Sequence, residues 1–214
     1  MKRYILQNKK AYDLSAKEYG ERSKLYEKHD RIILSPFIRI LKKKFREKIR
    51  CLDIGPGSGL DLLILDEAKI KTIAIDISGE MIKIAKKKSP KTKFYQKDIL
   101  DAKFNKNSFE GIISKALIHL FPKKDAEKVM KKVHGFLVPG GILFICTSIK
   151  KYSKEGYFEK KDYQTKTKRF RKYWTEKEFI DFVRENGFDI LHIRYTNERR
   201  FNKRWVGLTA EKIR

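Results

Sequence analysis

From residue 49 onward, short apolar runs alternate with stretches whose apolar residues recur at helical spacing, the arrangement of a parallel sheet with helices on both faces. The runs predict strands at Ile49 to Ile54, Ile70 to Asp76, Thr92 to Gln96, Phe109 to Ser114 and, as ILFIC, 142 to 146. Two more are expected near Phe188 to Tyr195 and Trp205 to Thr209. Between them, Leu60, Leu62, Leu63, Ile64 and Leu65 mark one helix. Met81, Ile82 and Ala85 mark a second, capped by Ser78 and ending in Lys86 to Lys88, where cations suit the helix dipole. A third follows Pro122 and buries Ala126, Val129, Met130, Val133 and Leu137, after which Val138 to Gly141 (VPGG) reads as a turn. Thr175 and Glu178 form a capping-box pattern for a last helix, and Gly187 ends it. Residues 1 to 48 differ in character: helical pieces near Ala11 to Tyr19 and Asp30 to Lys48 precede the sheet and read as a lid. No internal repeat or low-complexity linker appears, and the length suits one domain, 1 to 214.

Charge changes this picture in one respect. With 52 Lys+Arg against 27 Asp+Glu the formal net charge is +25, which draws anionic partners: nucleic acid, anionic metabolites or acidic membrane surfaces. The same lysines equally fit a solvated shell. Cys51 and Cys146 each sit inside an apolar run and read as small buried hydrophobes. The start, MKRYILQNKK, lacks the hydrophobic segment of a signal peptide, and no apolar run approaches the ~20 residues of a bilayer span. A cytoplasmic protein is therefore expected. No metal is expected either, since His29, His119, His134, His192 and the two cysteines show no ligand spacing.

The candidate chemistry lies in CLDIGPGSGLD, 51 to 61, where Asp53, Gly55, Gly57 and Gly59 form D-x-G-x-G-x-G at the end of the first strand. Residues without side chains let the backbone turn sharply and approach a ligand. Asp76 ends the second strand, where a carboxylate can accept hydrogen bonds from both hydroxyls of a ribose, so an adenosine-containing ligand is expected. A dinucleotide site wants G-x-G-x-x-G and a helix N-terminus free for pyrophosphate. Here Leu60 takes the third glycine position and Asp53 would set a negative charge near the phosphates, which disfavours a nicotinamide-dependent oxidoreductase. A ligand with adenosine at one end and a cationic amino group at the other suits Asp53, and S-adenosylmethionine is one.

At these residues the sequence resembles the class I S-adenosylmethionine-dependent methyltransferases, in particular their small single-domain, type 11-like members. The resemblance is carried by LDIGPGSG at 52 to 59, AIDIS at 74 to 78 with Met81 after it, KDILD at 97 to 101, FEGIISKALIHLF at 109 to 121, LVPGGILFICT at 137 to 147, and YWTEKEFIDFVRENGF at 173 to 188. It implies a Rossmann-like α/β fold with a seven-stranded, mostly parallel sheet whose last strand is antiparallel. It further implies S-adenosyl-L-methionine as cofactor and S-adenosyl-L-homocysteine as product. Asp53, Gly55, Gly57 and Gly59 would surround the methionine moiety, Asp76 would hold the ribose, and Ile77, Asp98 and Ile99 would meet the adenine, with Met81 close by. Ser114 stands where relatives offer a backbone carbonyl to the amino group. Tyr12 and Tyr19, in YDLSAKEYG, resemble the amino-terminal segment that closes over the cofactor. Glu110, where many relatives carry aspartate, is a mild departure.

Methyl transfer from a sulfonium needs the acceptor held in line, and orientation of this kind is worth about 7 to 11 kcal/mol. His119, on the loop after the fourth strand, is the candidate base, and His134 reads as structural. The segment after the fourth strand reads SKAL rather than the N/D-P-P-Y/F of exocyclic amine methylation, and Cys146, in FICTSI, reads as core rather than as a nucleophile. Residues 149 to 174 form a basic aromatic insertion with Tyr152, Tyr157, Phe158, Tyr163, Phe170, Tyr173 and Trp174. It reads as a cover for the acceptor pocket, and otherwise as an RNA-binding strip. Arg199, Arg200, Lys203 and Arg204 add basic surface near the last strands. The acceptor is expected to be a small metabolite, an anionic one in keeping with the net charge, ahead of RNA. The alternatives are an RNA methyltransferase, or an RNA-binding protein that retains the cofactor pocket.

Overall fold

The computed structural model describes residues 1–160, 166–198 and 202–213, so Tyr163, Arg199 and Arg200 lie outside the described residues. The strands are β1 (Arg50–Ile54), β2 (Lys71–Asp76), β3 (Lys93–Gln96), β4 (Phe109–Lys115), β5 (Leu137–Ile149), β6 (Lys154–Lys160), β7 (Thr167–Tyr173), β8 (Phe188–Glu198) and β9 (Lys203–Lys212). The helices are α1 (Arg3–Phe45), α2 (Leu60–Glu67), α3 (Gly79–Lys88), α4 (Lys123–Phe136) and α5 (Glu176–Glu185). Seven strands form one sheet in the order β3-β2-β1-β4-β5-β9-β8. The pairs from β3 through β5 are parallel, and β9 runs antiparallel to both its neighbours, as the resemblance implied.

Because strand side chains alternate, each inner strand feeds two cores. Cys51, Ile113, Ile142 and Phe144 face Phe37 and Leu41 of α1 and Leu60 and Ile64 of α2. Leu52, Ile54, Ile112, Leu143 and Ile145 face Val129, Met130 and Val133 of α4 and Phe179 and Phe182 of α5. The expected caps form: Ser78 Oγ accepts the Met81 N–H at 3.1 Å and Thr175 Oγ1 accepts the Glu178 N–H at 3.2 Å. Glu178 does not complete the capping box; its carboxylate lies 2.8 Å from Lys172 Nζ.

Three expectations are corrected. The amino-terminal pieces are one 43-residue helix, α1, which continues through Pro36. Proline cannot donate to the carbonyl one turn back, and the Ser35 hydroxyl supplies that bond, to Ile32 O at 3.0 Å. Leu137 begins β5 instead of ending the preceding helix. The VPGG segment does not end in a turn but lies inside β5, where Phe109 pairs with Leu137 and Gly111 with Ile142, so the residues between are absorbed as a bulge with Gly140 at φ +69°. The basic insertion, to which the sequence pattern assigns no element, contains the antiparallel ribbon β6–β7, in register from Lys154↔Tyr173 to Lys160↔Thr167. Its Trp174 is fully buried, 4.7 Å from the Phe182 ring, whereas Tyr152 is exposed.

Gly59 shows how tightly the first turn is built. Its φ is +81°, and a Cβ there would stand 2.7 Å from Ala85 Cα and 2.8 Å from Ala85 O on α3, so backbone would have to move. At Gly57, φ +56°, an added Cβ meets nothing nearer than Met81 Cε at 4.0 Å, which leaves only conformational strain. Urea melts should therefore show Gly59→Ala destabilised by about 2 kcal/mol or more, and Gly57→Ala by about 1 kcal/mol. Equal losses would mean that the α2–α3 contact is not the constraint.

Candidate active site

The sheet order reverses direction between β1 and β4, and in open α/β sheets ligands bind beyond the carboxyl ends of the strands at such a point. A cavity of about 390 Å³ lies there. Of the expected cofactor residues, Gly55, Gly57, Asp76, Ile77, Met81, Asp98, Ile99, Tyr12 and Tyr19 all line it, and so does His119. The two tyrosines arrive from α1 with ring centroids 5.7 Å apart. Their helix is fastened to the β2–α3 corner, where Ser78 Oγ donates to Asp13 Oδ1 at 2.5 Å.

Asp76 Oδ1 accepts the Ser78 N–H at 2.8 Å. Burial pushes its carboxyl up to about 6, partly offset by the Ser78 and Ile77 amides. Asp98 Oδ1 accepts the Leu100 N–H at 3.0 Å, and burial raises its carboxyl too. Ile77, Met81 and Ile99 supply apolar surface on the same wall.

Asp53, Gly59 and Ser114 do not line the cavity. Gly59 is held by packing, as described above. Asp53 is fully buried, and neither of its carboxylate oxygens has a hydrogen-bond partner among the described residues. Burial, with Asp61 adding to it, pushes its carboxyl well above the usual range. A buried carboxyl left in this state is stabilised by an approaching cation. Ser114 Oγ is likewise buried with no hydrogen-bond partner among the described residues.

Several cavity residues escaped sequence reasoning. Lys115 Nζ lies 2.6 Å from Asp30 Oδ2 and 2.6 Å from Asp61 Oδ1. Against burial, these two carboxylates hold its ammonium well above the ordinary lysine value. The available signal was a lysine closing the apolar strand FEGIISK, an expensive place for a charge unless it is paired. Arg169 and Arg171 also line the cavity, and their R-x-R spacing puts them on one face of β7. Cys146, expected as core, is buried but reaches the cavity wall, and Glu198, another wall residue, accepts from Tyr26 Oη at 3.0 Å and Trp205 Nε1 at 3.2 Å.

His119 is 1% exposed and sits in a short 3₁₀ turn, Ile118–Leu120, with Nδ1 2.8 Å from Thr147 Oγ1. His29, also on the cavity wall, has Nδ1 3.2 Å from Asp30 Oδ1. His134 lies away from the cavity, with Nε2 3.2 Å from Ile213 O and its ring edge-on to Phe188. Glu110 is equally remote, accepting the Arg50 N–H at 2.7 Å and its guanidinium at 3.1 Å. No helix is long and apolar enough to cross a membrane among the described residues.

This sheet, with a cavity at its switch point lined by the Gly55–Gly57 turn and by Asp76 at the end of β2, defines a Rossmann-like α/β fold of the kind that takes nucleosides there. A family model described as a methyltransferase domain matches residues 26–193, and the chain belongs to that family: it is a methyltransferase. No curated protein matches it in sequence. Among solved structures, it is similar to the Burkholderia thailandensis 1,6-didemethyltoxoflavin-N1-methyltransferase with bound 1,6-didemethyltoxoflavin and S-adenosylhomocysteine (TM-score 0.74, 16% identity, 99% of this chain and 89% of that one). It is also similar to a SAM-dependent methyltransferase from Methanosarcina mazei (TM-score 0.67, 23% identity, 78% and 94%). A third is the magnesium protoporphyrin IX methyltransferase of Synechocystis with bound SAM (TM-score 0.62, 17% identity, 86% and 79%). At these identities the likeness is one of fold.

The raised carboxyl of Asp76 has a consequence for stability. Its folded-state value of about 6 lies above the ordinary carboxylate range, so its stabilising contribution is complete below that range and is lost as pH rises through about 6. Asp76→Asn keeps an acceptor for the Ser78 N–H but cannot ionise. Urea melts across this pH window should show the variant losing less stability than the wild type as pH rises. Parallel curves would remove Asp76 from the titration.

Proposed function

We propose that the protein binds S-adenosylmethionine in this cavity and methylates a small molecule, acting in the cytoplasm. The observation that carries this reading is the convergence on one cavity of the Gly55–Gly57 turn, Asp76 and Asp98, with Tyr12 and Tyr19 covering them from α1. The orphaned buried oxygens of Asp53 fit the same ligand, whose amino group is cationic. A cavity walled partly by α1 favours a small acceptor over a polymer, and the similar structures named above include methyltransferases of 1,6-didemethyltoxoflavin and of magnesium protoporphyrin IX. The exposed Tyr152 beside Lys151, 5.2 Å from ring centroid to Nζ, favours RNA as the second reading.

In the mechanism, ionised Asp76 would accept from the ribose hydroxyls, and Ile77, Ile99, Met81 and Asp98 would hold the adenine. Asp53, buried behind the cavity wall, would offset the charge of the amino group, the Ser114 carbonyl would accept from it, and residues 1 to 48 would cover the site. When bound, S-adenosylmethionine would supply an electrophilic methyl group on a sulfonium. His119 takes the proton that the acceptor gives up. Thr147 orients it, with Oγ1 2.8 Å from Nδ1; in the tautomer that carries its proton on Nδ1, Nε2 is the basic nitrogen.

Titration calorimetry should give micromolar binding of S-adenosylmethionine and S-adenosylhomocysteine and none of NADH; the reverse order would make the protein a nicotinamide enzyme. Asp76→Ala should weaken S-adenosylhomocysteine by ~1.5 to 3 kcal/mol, as for hydrogen bonds to a charged group. An unchanged dissociation constant would refute the ribose assignment. With an acceptor found by screening for labelled methyl transfer, over metabolites and total RNA in separate arms, His119→Asn should keep cofactor affinity and slow turnover ~10²- to 10⁴-fold. Full activity would take His119 out of the mechanism.

A further inference from the structure

Helix α1 turns one face to the core and the cavity and the other to solvent. Between residues 3 and 39 its exposed positions recur every three or four residues, with Leu25 beside Lys24, and so form one line along the helix about 54 Å long. Six of these positions are cations: Arg3, Lys10, Lys17, Lys24, Lys28 and Arg39. Four are large aliphatics: Leu6 at 52% exposure, Leu14 at 56%, Leu25 at 69% and Ile32 at 44%. Glu21 is the one acid on the line, and Ser35 completes it.

A lysine-rich solvated shell would show the balance of the whole chain, 52 Lys+Arg to 27 Asp+Glu, or about two to one, and would not collect aliphatic side chains. The line shows six cations to one acid. It also holds four of the six exposed Leu and Ile side chains among the described residues, the other two being Leu191 and Ile213. Nearby acids of α1 lie off the line and are engaged, Asp13 at 2.6 Å from Lys9 and Glu27 at 2.8 Å from Arg31. None of the six cations is in a salt bridge among the described residues.

Cations alone suit any polyanion, and the aliphatics discriminate between them. Single-stranded nucleic acid offers phosphates to lysine and bases to aromatic rings, and this line holds no aromatic side chain. A second copy of the face would set cations against cations. An anionic bilayer meets both features, with charged headgroups for Lys and Arg and acyl chains just below them that take Leu and Ile out of water. We propose that the outer face of α1 is a docking surface for an anionic lipid bilayer, on which the helix lies flat with Leu6, Leu14, Leu25 and Ile32 inserted and the six cations at the headgroups. Their aliphatic stems suit that boundary, since they lie in the apolar layer while the charge stays outside it. The inference does not depend on the methyl-transfer reading, although the same helix carries Tyr12, Tyr19 and Tyr26 into the cavity from its other side.

The test is co-sedimentation of the full chain with vesicles of phosphatidylcholine alone, or of phosphatidylcholine with about one third phosphatidylserine, at about 0.1 M and about 0.5 M salt. At the lower salt the anionic vesicles should bind about tenfold or more tightly than the neutral ones, and the higher salt should weaken that binding. Leu14→Gln combined with Leu25→Gln should weaken it about tenfold, and so should Lys17→Gln combined with Lys24→Gln and Lys28→Gln. All five side chains are exposed, so melting temperatures near that of the wild type are expected. Lys87→Gln with Lys91→Gln and Lys106→Gln removes as many exposed lysines elsewhere and should change binding by less than about threefold. Equal binding to both vesicles, no binding to the anionic ones, wild-type binding in either α1 variant, or an equal loss in the Lys87, Lys91 and Lys106 variant would overturn the proposal. Binding of poly(U) that needs the three α1 lysines but not the two leucines, without binding to vesicles, would assign the face to nucleic acid and overturn it as well.

Discussion

The ammonium of Lys115 ties three elements together. It closes β4 and is clasped by Asp30 from α1 and Asp61 from α2 at 2.6 Å each. A buried charge costs several kcal/mol unless its partners are in place, so α1 cannot leave the sheet without exposing or orphaning this group. The consequences run outward in both directions. Toward the sheet, Lys115 acts to lower the carboxyl of Asp53, although burial and Asp61 outweigh it. Toward the amino terminus, the same helix places Tyr26, Tyr19, Tyr12 and Asn8 along the cavity.

Further contacts complete the placement of α1. Asn8 donates to Leu120 O at 3.1 Å and accepts the Phe170 N–H at 2.8 Å, so one side chain joins α1, the turn that carries His119, and β7. Tyr4 Oη donates to Asp125 Oδ2 at 2.9 Å and secures the helix to the start of α4. The cavity is thus assembled from the carboxyl ends of β1, β2 and β4 below, α1 across it, and β7 at one side. α1 meets β4 and β7 through buried polar contacts whose loss would leave unsatisfied groups. This suits a site that must exclude water and hold two reactants in line.

Much of the sheet was legible because its strands are apolar on both faces and its helices carry clear caps. The seven expected strands are present, with ends that differ by a few residues, and Ser78 and Thr175 cap where they were expected. The misreading at 138 to 141 has a local cause: VPGG is a breaker signal, and a bulge in β5 took up its extra residues. The ribbon β6–β7 was missed because its charged and aromatic residues resemble a loop, although the alternation TKRFRKY was present at 167 to 173.

By itself the sequence determined the parallel sheet, the glycine turn after β1, and the acidic residues at 53, 76 and 98, because strand periodicity, positive-φ turns and strand-end positions are local properties. Only the tertiary structure decided that Tyr12, Lys115, His119, Arg169 and Arg171 share one cavity. Arg169 and Tyr12, which touch, are 157 positions apart. No local pattern encodes such a meeting, since it depends on α1 and β7 being brought to the same end of the sheet by buried ion pairs and hydrogen bonds that form only once the chain is folded.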